Sequence, residues 1–116
     1  MTKKTIAVSV EAVVDDTESF VALGPTFRSG GVVCYDRIAV ADRDNVPTLI
    51  TIGFVAGTRE YDVDSFIPTV AGQVVSVHSR IFVPASYRVF ARIYGGTSGD
   101  KFALTIYGYI DENANS

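Results

Sequence analysis

The sequence predicts an all-β fold: an antiparallel β-sandwich, jelly-roll-like, of about eight strands in one domain. Three observations predict it. Apolar and polar residues alternate with period two from end to end, which is the pleat of a half-buried strand. Seven Phe and six Tyr stand among many Val, Ile and Thr, residue types that fit a pleated surface. Turn signals punctuate the chain every 8 to 14 residues or so, the spacing of sandwiches and jelly rolls, with an up-and-down barrel as second choice.

The elements follow in order. Ile6, Val8, Val10, Ala12 and Val14 alternate with Thr5, Ala7, Ser9, Glu11 and Val13, a first strand with one buried face that Asp15-Asp16 ends. A short apolar segment, Phe20 to Leu23, leads through Gly24-Pro25 to Ser29-Gly30-Gly31, where glycine takes positive φ without penalty. A long strand then runs from Val32 to about Ala41, and Asp42-Arg43-Asp44-Asn45 forms a polar loop before Pro47. From Thr48 to Val55, Ile50, Ile52 and Phe54 oppose Leu49, Thr51, Gly53 and Val55, and apolar residues on both sides mark a central strand.

Gly57-Thr58 turns the chain into Arg59 to Phe66. Gln73 to Val83 follows Ala71-Gly72 and stops at Pro84-Ala85. Tyr87 to Tyr94 and Phe102 to Ile110 read as a closing hairpin around Gly95-Gly96-Thr97-Ser98-Gly99-Asp100. No linker or internal repeat divides residues 1–116, so one domain is expected, with residues 1–4 and 111–116 as flexible ends.

Composition narrows the function. A hydrophobic fraction of 47%, 20% charged residues and a mean hydropathy of +0.25 belong to a globular chain able to bury one core. A formal charge of −3 and a pI near 4.9 argue against nucleic acid as partner, since phosphate contacts draw on Lys and Arg. The basic start, Met1 to Lys4, runs into strand-like alternation and does not read as a secretory signal. No apolar run nears the roughly 20 residues that cross a bilayer, so no membrane partner is expected. The single cysteine, Cys34, excludes an intramolecular disulfide; in Val32-Val33-Cys34-Tyr35 it reads as a small buried residue of a protein made in a reducing cytosol.

The chemical inventory is thin, and no enzyme is expected. A hydrolase needs a nucleophile, a base in reach and a group that orients the base. The one histidine, His78, shares a strand face with Ser76 and Arg80 and has no nucleophile beside it in sequence. Two acidic groups, Asp42-Arg43-Asp44-Asn45 and Asp62 with Asp64 on one strand face, lack the glycine and distal glutamate of a calcium loop and read as solvated. The glycine-rich segment 95–101 lacks both the Gly-Lys pair and the following helix of a phosphate loop. No catalytic residue, metal or cofactor is therefore expected.

The more informative constellation is a surface. If 87–94 and 102–110 form a hairpin, then Tyr87, Val89, Ala91 and Ile93 point inward with Phe102, Leu104, Ile106 and Ile110. Alternation then gathers Arg88, Phe90, Arg92, Tyr94, Thr105, Tyr107 and Tyr109 on the other side, a face of arginines and aromatics of the kind enriched at interfaces. Three readings compete for it: contact with another protein, most simply an identical copy; packing under the chain's own loops or second sheet; and stacking of carbohydrate or single-stranded nucleic acid.

From about Thr48 to Ile110 the sequence resembles small jelly-roll structural proteins of tailed bacteriophages, among them capsid decoration or cement proteins and fibre modules. The residues that carry the likeness are Ala71-Gly72-Gln73-Val74-Val75, Ile81-Phe82-Val83-Pro84-Ala85-Ser86-Tyr87-Arg88-Val89, and Gly95 to Phe102 leading to Tyr107-Gly108-Tyr109. The resemblance implies a virion protein, assembled in the host bacterial cytoplasm, that binds a major capsid protein on the outer shell as a homo-oligomer, a trimer being one candidate. The alternative is a carbohydrate- or receptor-binding module of a phage fibre, with Tyr94, Tyr107 and Tyr109 stacking on sugar rings.

Overall fold

In the computed structural model, residues 3–27, 31–77 and 79–111 are described, apart from the side chain of Lys3. Nine strands make up this part of the chain: β1 (Lys3–Val13), β2 (Ser19–Leu23), β3 (Val32–Asp42), β4 (Leu49–Ala56), β5 (Arg59–Phe66), β6 (Val75–Val77), β7 (Ile81–Pro84), β8 (Arg88–Tyr94) and β9 (Lys101–Asp111). They form two antiparallel sheets. The first has the order β1-β9-β3-β6, with β7 also paired to β3, and the second has the order β2-β8-β4-β5. This is the β-sandwich expected from the alternation, and its strand order is that of a jelly roll.

The topology reduces to one long hairpin rolled up. Ala56 lies opposite Arg59, Ile38 opposite Val77, Leu23 opposite Phe90, and Lys3 opposite Asp111. Each successive pair encloses the last, so the chain is paired almost symmetrically about the Gly57-Thr58 turn. Gly57 has φ +62°, a conformation that costs glycine nothing. The expected count of eight strands differs from nine because the strand beside β3 is interrupted. β7 pairs with Val32–Tyr35 and β6 with Ile38–Val40, and the gap falls where the β3–β9 register shifts between Tyr35 and Arg37. A residue extra to one strand breaks the ladder locally. His78 lies at this gap in sequence and outside the described residues.

The inner faces meet in one core. Ile6, Val33, Ile38 and Val40 of the first sheet join Leu104 and Ile106 of β9, and across from them stand Ile50, Ile52, Phe54, Val89, Ala91 and Ile93. Burying the Val, Leu, Ile and Phe side chains among them contributes roughly 1.5–3 kcal/mol each. The strand alternation that predicted β1, β3, β4 and β8 is thus the alternation of core and surface. Lys3, Lys4 and Asp111, expected in flexible ends, are paired in β1 and β9, while residues 1–2 and 112–116 lie outside the described part.

Three sequence expectations need correction. The closing hairpin does not exist: β8 pairs with β2 and β4, β9 pairs with β1 and β3, and residues 95–100 cross from one sheet to the other. Alternation reports which side of a strand is buried and is silent on which strand lies beside it. The acidic loop is not solvated at its first residue, since Asp42 is 2% exposed. Finally, a register shift between Ile52 and Gly53 sets Asp62 opposite Gly53 and Asp64 opposite Ile52, so the two carboxylates do not share one face.

Candidate functional site

Because β8 and β9 lie in opposite sheets, the seven residues expected on one face divide between two faces that point away from each other. Arg88, Phe90, Arg92 and Tyr94 project outward from the β2-β8-β4-β5 sheet, and Thr105, Tyr107 and Tyr109 from the β1-β9-β3-β6 sheet. No shared platform of Tyr94, Tyr107 and Tyr109 exists for a sugar ring.

On the β8 side the polar groups are bound within the molecule. The guanidinium of Arg88 donates from Nε and Nη2 to the carbonyl of Gly24, at 3.0 and 2.7 Å. Arg92 donates from both terminal nitrogens to the Glu60 carboxylate, at 2.8 and 2.7 Å. That fork lowers the carboxyl of Glu60 below its ordinary range and raises the guanidinium of Arg92, the hydrogen bond being the main cause in each. Arg92 also lies over the Phe90 ring, 5.4 Å from its centroid. Phe90 is consequently 1% exposed although it faces outward, and Tyr94 is half-buried. Here the reading of packing within the chain applies.

The β9 side is different. Along β9 the outward residues are Tyr109, Tyr107, Thr105 and Ala103. Tyr107 is 45% exposed between Ala7 of β1 and Arg37 of β3. Tyr109 is half-buried opposite Cys34, which pairs on its other side with Phe82, 60% exposed. Next to this row Arg80 donates from Nε to Asp36 at 2.9 Å, which raises the Arg80 guanidinium. A hydrogen bond with Cys34 is the main cause that raises the Tyr109 hydroxyl. Cys34 is buried, as expected, but under Phe82 and Tyr109 on the outward side and outside the main core.

Thr105 leads from the aromatic row into a groove of about 300 Å³. Its floor is Ala39, Ala41 and Ala103, and its sides are Arg43 and Val74. The small side chains leave the floor low. On the sides Arg43 forms an exposed ion pair with Glu11 at 3.0 Å, and the amide of Gly72 donates to the Asp42 carbonyl at 2.9 Å.

Phe82, Arg37 and Val74 were not among the interface residues expected from the sequence, although Phe82 and Val74 stand in the segments that carry the resemblance. Phe82 stands in Ile81-Phe82-Val83-Pro84, where every side chain is apolar and alternation carries no signal. Among the described residues no group of three or more His, Cys, Asp and Glu could hold a metal ion, and no helix is long and apolar enough to cross a membrane.

No protein-family model matches the chain, and no curated protein matches it. Among solved structures, a chain in the structure of infectious bursal disease virus Gx strain aligns with 92% of this chain at 13% identity and a TM-score of 0.30. The alignment spans 31% of that chain, and a likeness at this level carries no argument about function.

Proposed function

We propose that this protein is a non-enzymatic structural component of a virion, a capsid decoration protein that binds the outer shell as a homo-oligomer through the outward face of the β1-β9-β3-β6 sheet. The observation that carries the reading is the row of Phe82, Tyr109 and Tyr107, flanked by Arg37 and continued by the alanine-floored groove. Exposed aromatics on a rigid sheet form the centre of many protein interfaces, because they bury much area while losing few rotamers, and arginine is enriched beside them. A jelly roll suits such a role, since it docks with little loss of conformational freedom, and copies on a symmetric shell turn weak contacts into avidity. The sequence resemblance to structural proteins of tailed bacteriophages supports the same reading.

The test is immunogold electron microscopy. An antibody against this chain is applied to virus particles purified by density gradient from the culture that encodes it. Many labels distributed over each shell are expected, and particles that carry the chain's gene but no label contradict the proposal.

A further inference from the structure

We infer that the outer edge of β1, which pairs with β9 and with no second strand among the described residues, is a self-pairing interface, through which two copies of this chain join their β1-β9-β3-β6 sheets antiparallel into one continuous sheet. The inference rests on the proposed role as an assembling structural protein, and it names the contact between copies.

A sheet edge presents unpaired amide and carbonyl groups, and natural proteins blunt such edges with charges, bulges, prolines or short strands. Three of the four edges here are blunted. β5 carries Arg59, Glu60, Asp62 and Asp64 in eight residues and contains a register shift. β6 and β7 are three and four residues long, with a break between them and Pro84 at the end. β2 has five residues. β1 carries charge only towards its ends, at Lys3, Lys4 and Glu11, and has none of the other devices. It runs for 11 residues in unbroken register with β9, without proline, and between Lys4 and Glu11 its sequence is Thr5-Ile6-Ala7-Val8-Ser9-Val10.

The core is also incomplete along this edge. Val8, Val10 and Ala12 have the inward parity of Ile6 yet are only half-buried, and Phe20 of β2 across from them is half-buried too. A second copy would cover them.

That the occupant is another β1 follows from self-complementarity. Antiparallel pairing about a two-fold axis at Ala7 sets Ala7 opposite its own copy, Thr5 opposite Ser9, Ile6 opposite Val8, and Lys4 opposite Val10. Every pair then shares a face, the outward pairs being small and the central inward pair apolar. Both copies also turn their Tyr107 rows to the same side, which doubles the surface offered to a shell.

The experiment uses the full chain in sedimentation equilibrium, with Ala7→Lys and Ala7→Glu, both at an exposed position, and circular dichroism to verify folding. The wild type is expected to dimerise. Each variant alone places like charges opposite each other and weakens the dimer at least about tenfold, and mixing the two restores it. Phe82→Ala with Tyr107→Ala is expected to leave dimerisation unchanged. A wild type that stays monomeric, a trimer, or variants that dimerise as the wild type does would overturn the β1 interface. Immunogold labelling of the shell is independent of all three results, so the failure of this contact and the failure of the proposed role are distinguishable.

Discussion

The carboxyl groups of Asp42 and Asp100 lie within hydrogen-bond reach of each other, both almost wholly buried, and each keeps one oxygen, Oδ2, without a partner among the described residues. Their other oxygens are engaged. Asp42 Oδ1 accepts the amides of Asp44 and Asn45 at 3.1 and 3.2 Å, and Asp100 Oδ1 accepts Asn45 Nδ2 at 2.6 Å. With Asp44 Oδ2 accepting the Lys101 amide at 2.7 Å, these contacts tie the loop after β3 to the segment that crosses between the sheets.

Burial, helped by the neighbouring Asp100 carboxyl, pushes Asp42 up to about 6 from an ordinary value of 3.8. The folded chain therefore holds this proton more tightly than the unfolded chain, and the contribution is fully present below about pH 4 and lost as pH rises through about 6. It amounts to roughly 3 kcal/mol across that window. Asp100→Asn keeps the acceptor for Asn45 and gives the orphaned Asp42 oxygen a donor. We expect the variant to be more stable than the wild type at pH 7 by about 1–2 kcal/mol, with a flatter dependence of Tm on pH between 4 and 7. Thermal melts across that range check it, and a wild type whose Tm falls more steeply on acidification than the variant's would refute the sign.

The hydroxyl of Tyr35 is buried without a partner among the described residues, and burial pushes it up to about 12. Its ring packs on Phe54 with centroids 5.3 Å apart. Tyr35→Phe keeps the ring contact and removes the unsatisfied oxygen, so chemical denaturation is expected to show an unchanged or higher stability, by up to about 1 kcal/mol. A loss of about 2 kcal/mol or more would mean that the hydroxyl has a partner.

Gly53 has room for no side chain. A Cβ there would collide with the carbonyl of Tyr61 on β5 and stand 2.7 Å from the Phe90 ring on β8. Gly53→Ala is expected to cost about 2 kcal/mol or more by prising β5 from β4, and faster amide exchange in residues 59–66 would show where the strain is released.

How much of the fold was legible in the sequence depends on what alternation can report. Burial of Val89, Ala91 and Ile93 on β8, and of Leu104 and Ile106 on β9, was legible, because a period of two states which side faces the core. That these two sets face each other across the interior, with their outward partners pointing apart, was not. Pairing depends on contacts distant in sequence, and the crossing at 95–100 looks locally like a wide hairpin turn. The candidate site divided for the same reason. Tyr107 is exposed as alternation implies, whereas Phe90 is withdrawn from the surface by Arg92 and Glu60, residues 32 positions apart whose meeting no local pattern encodes. Asp42 and Asp100 are likewise brought together by topology alone.

The proposed binding of a capsid shell through the β9 face and not the β8 face is tested by competitive binding to shells that lack this protein. Wild-type chain is compared with Phe82→Ala/Tyr107→Ala, which alters the first face, and with Leu23→Ser/Tyr94→Ala, which alters the second. We predict at least about a tenfold loss of occupancy for the first variant and wild-type occupancy for the second, with both folded. Equal losses, or a loss confined to the second variant, would contradict binding through the β9 face.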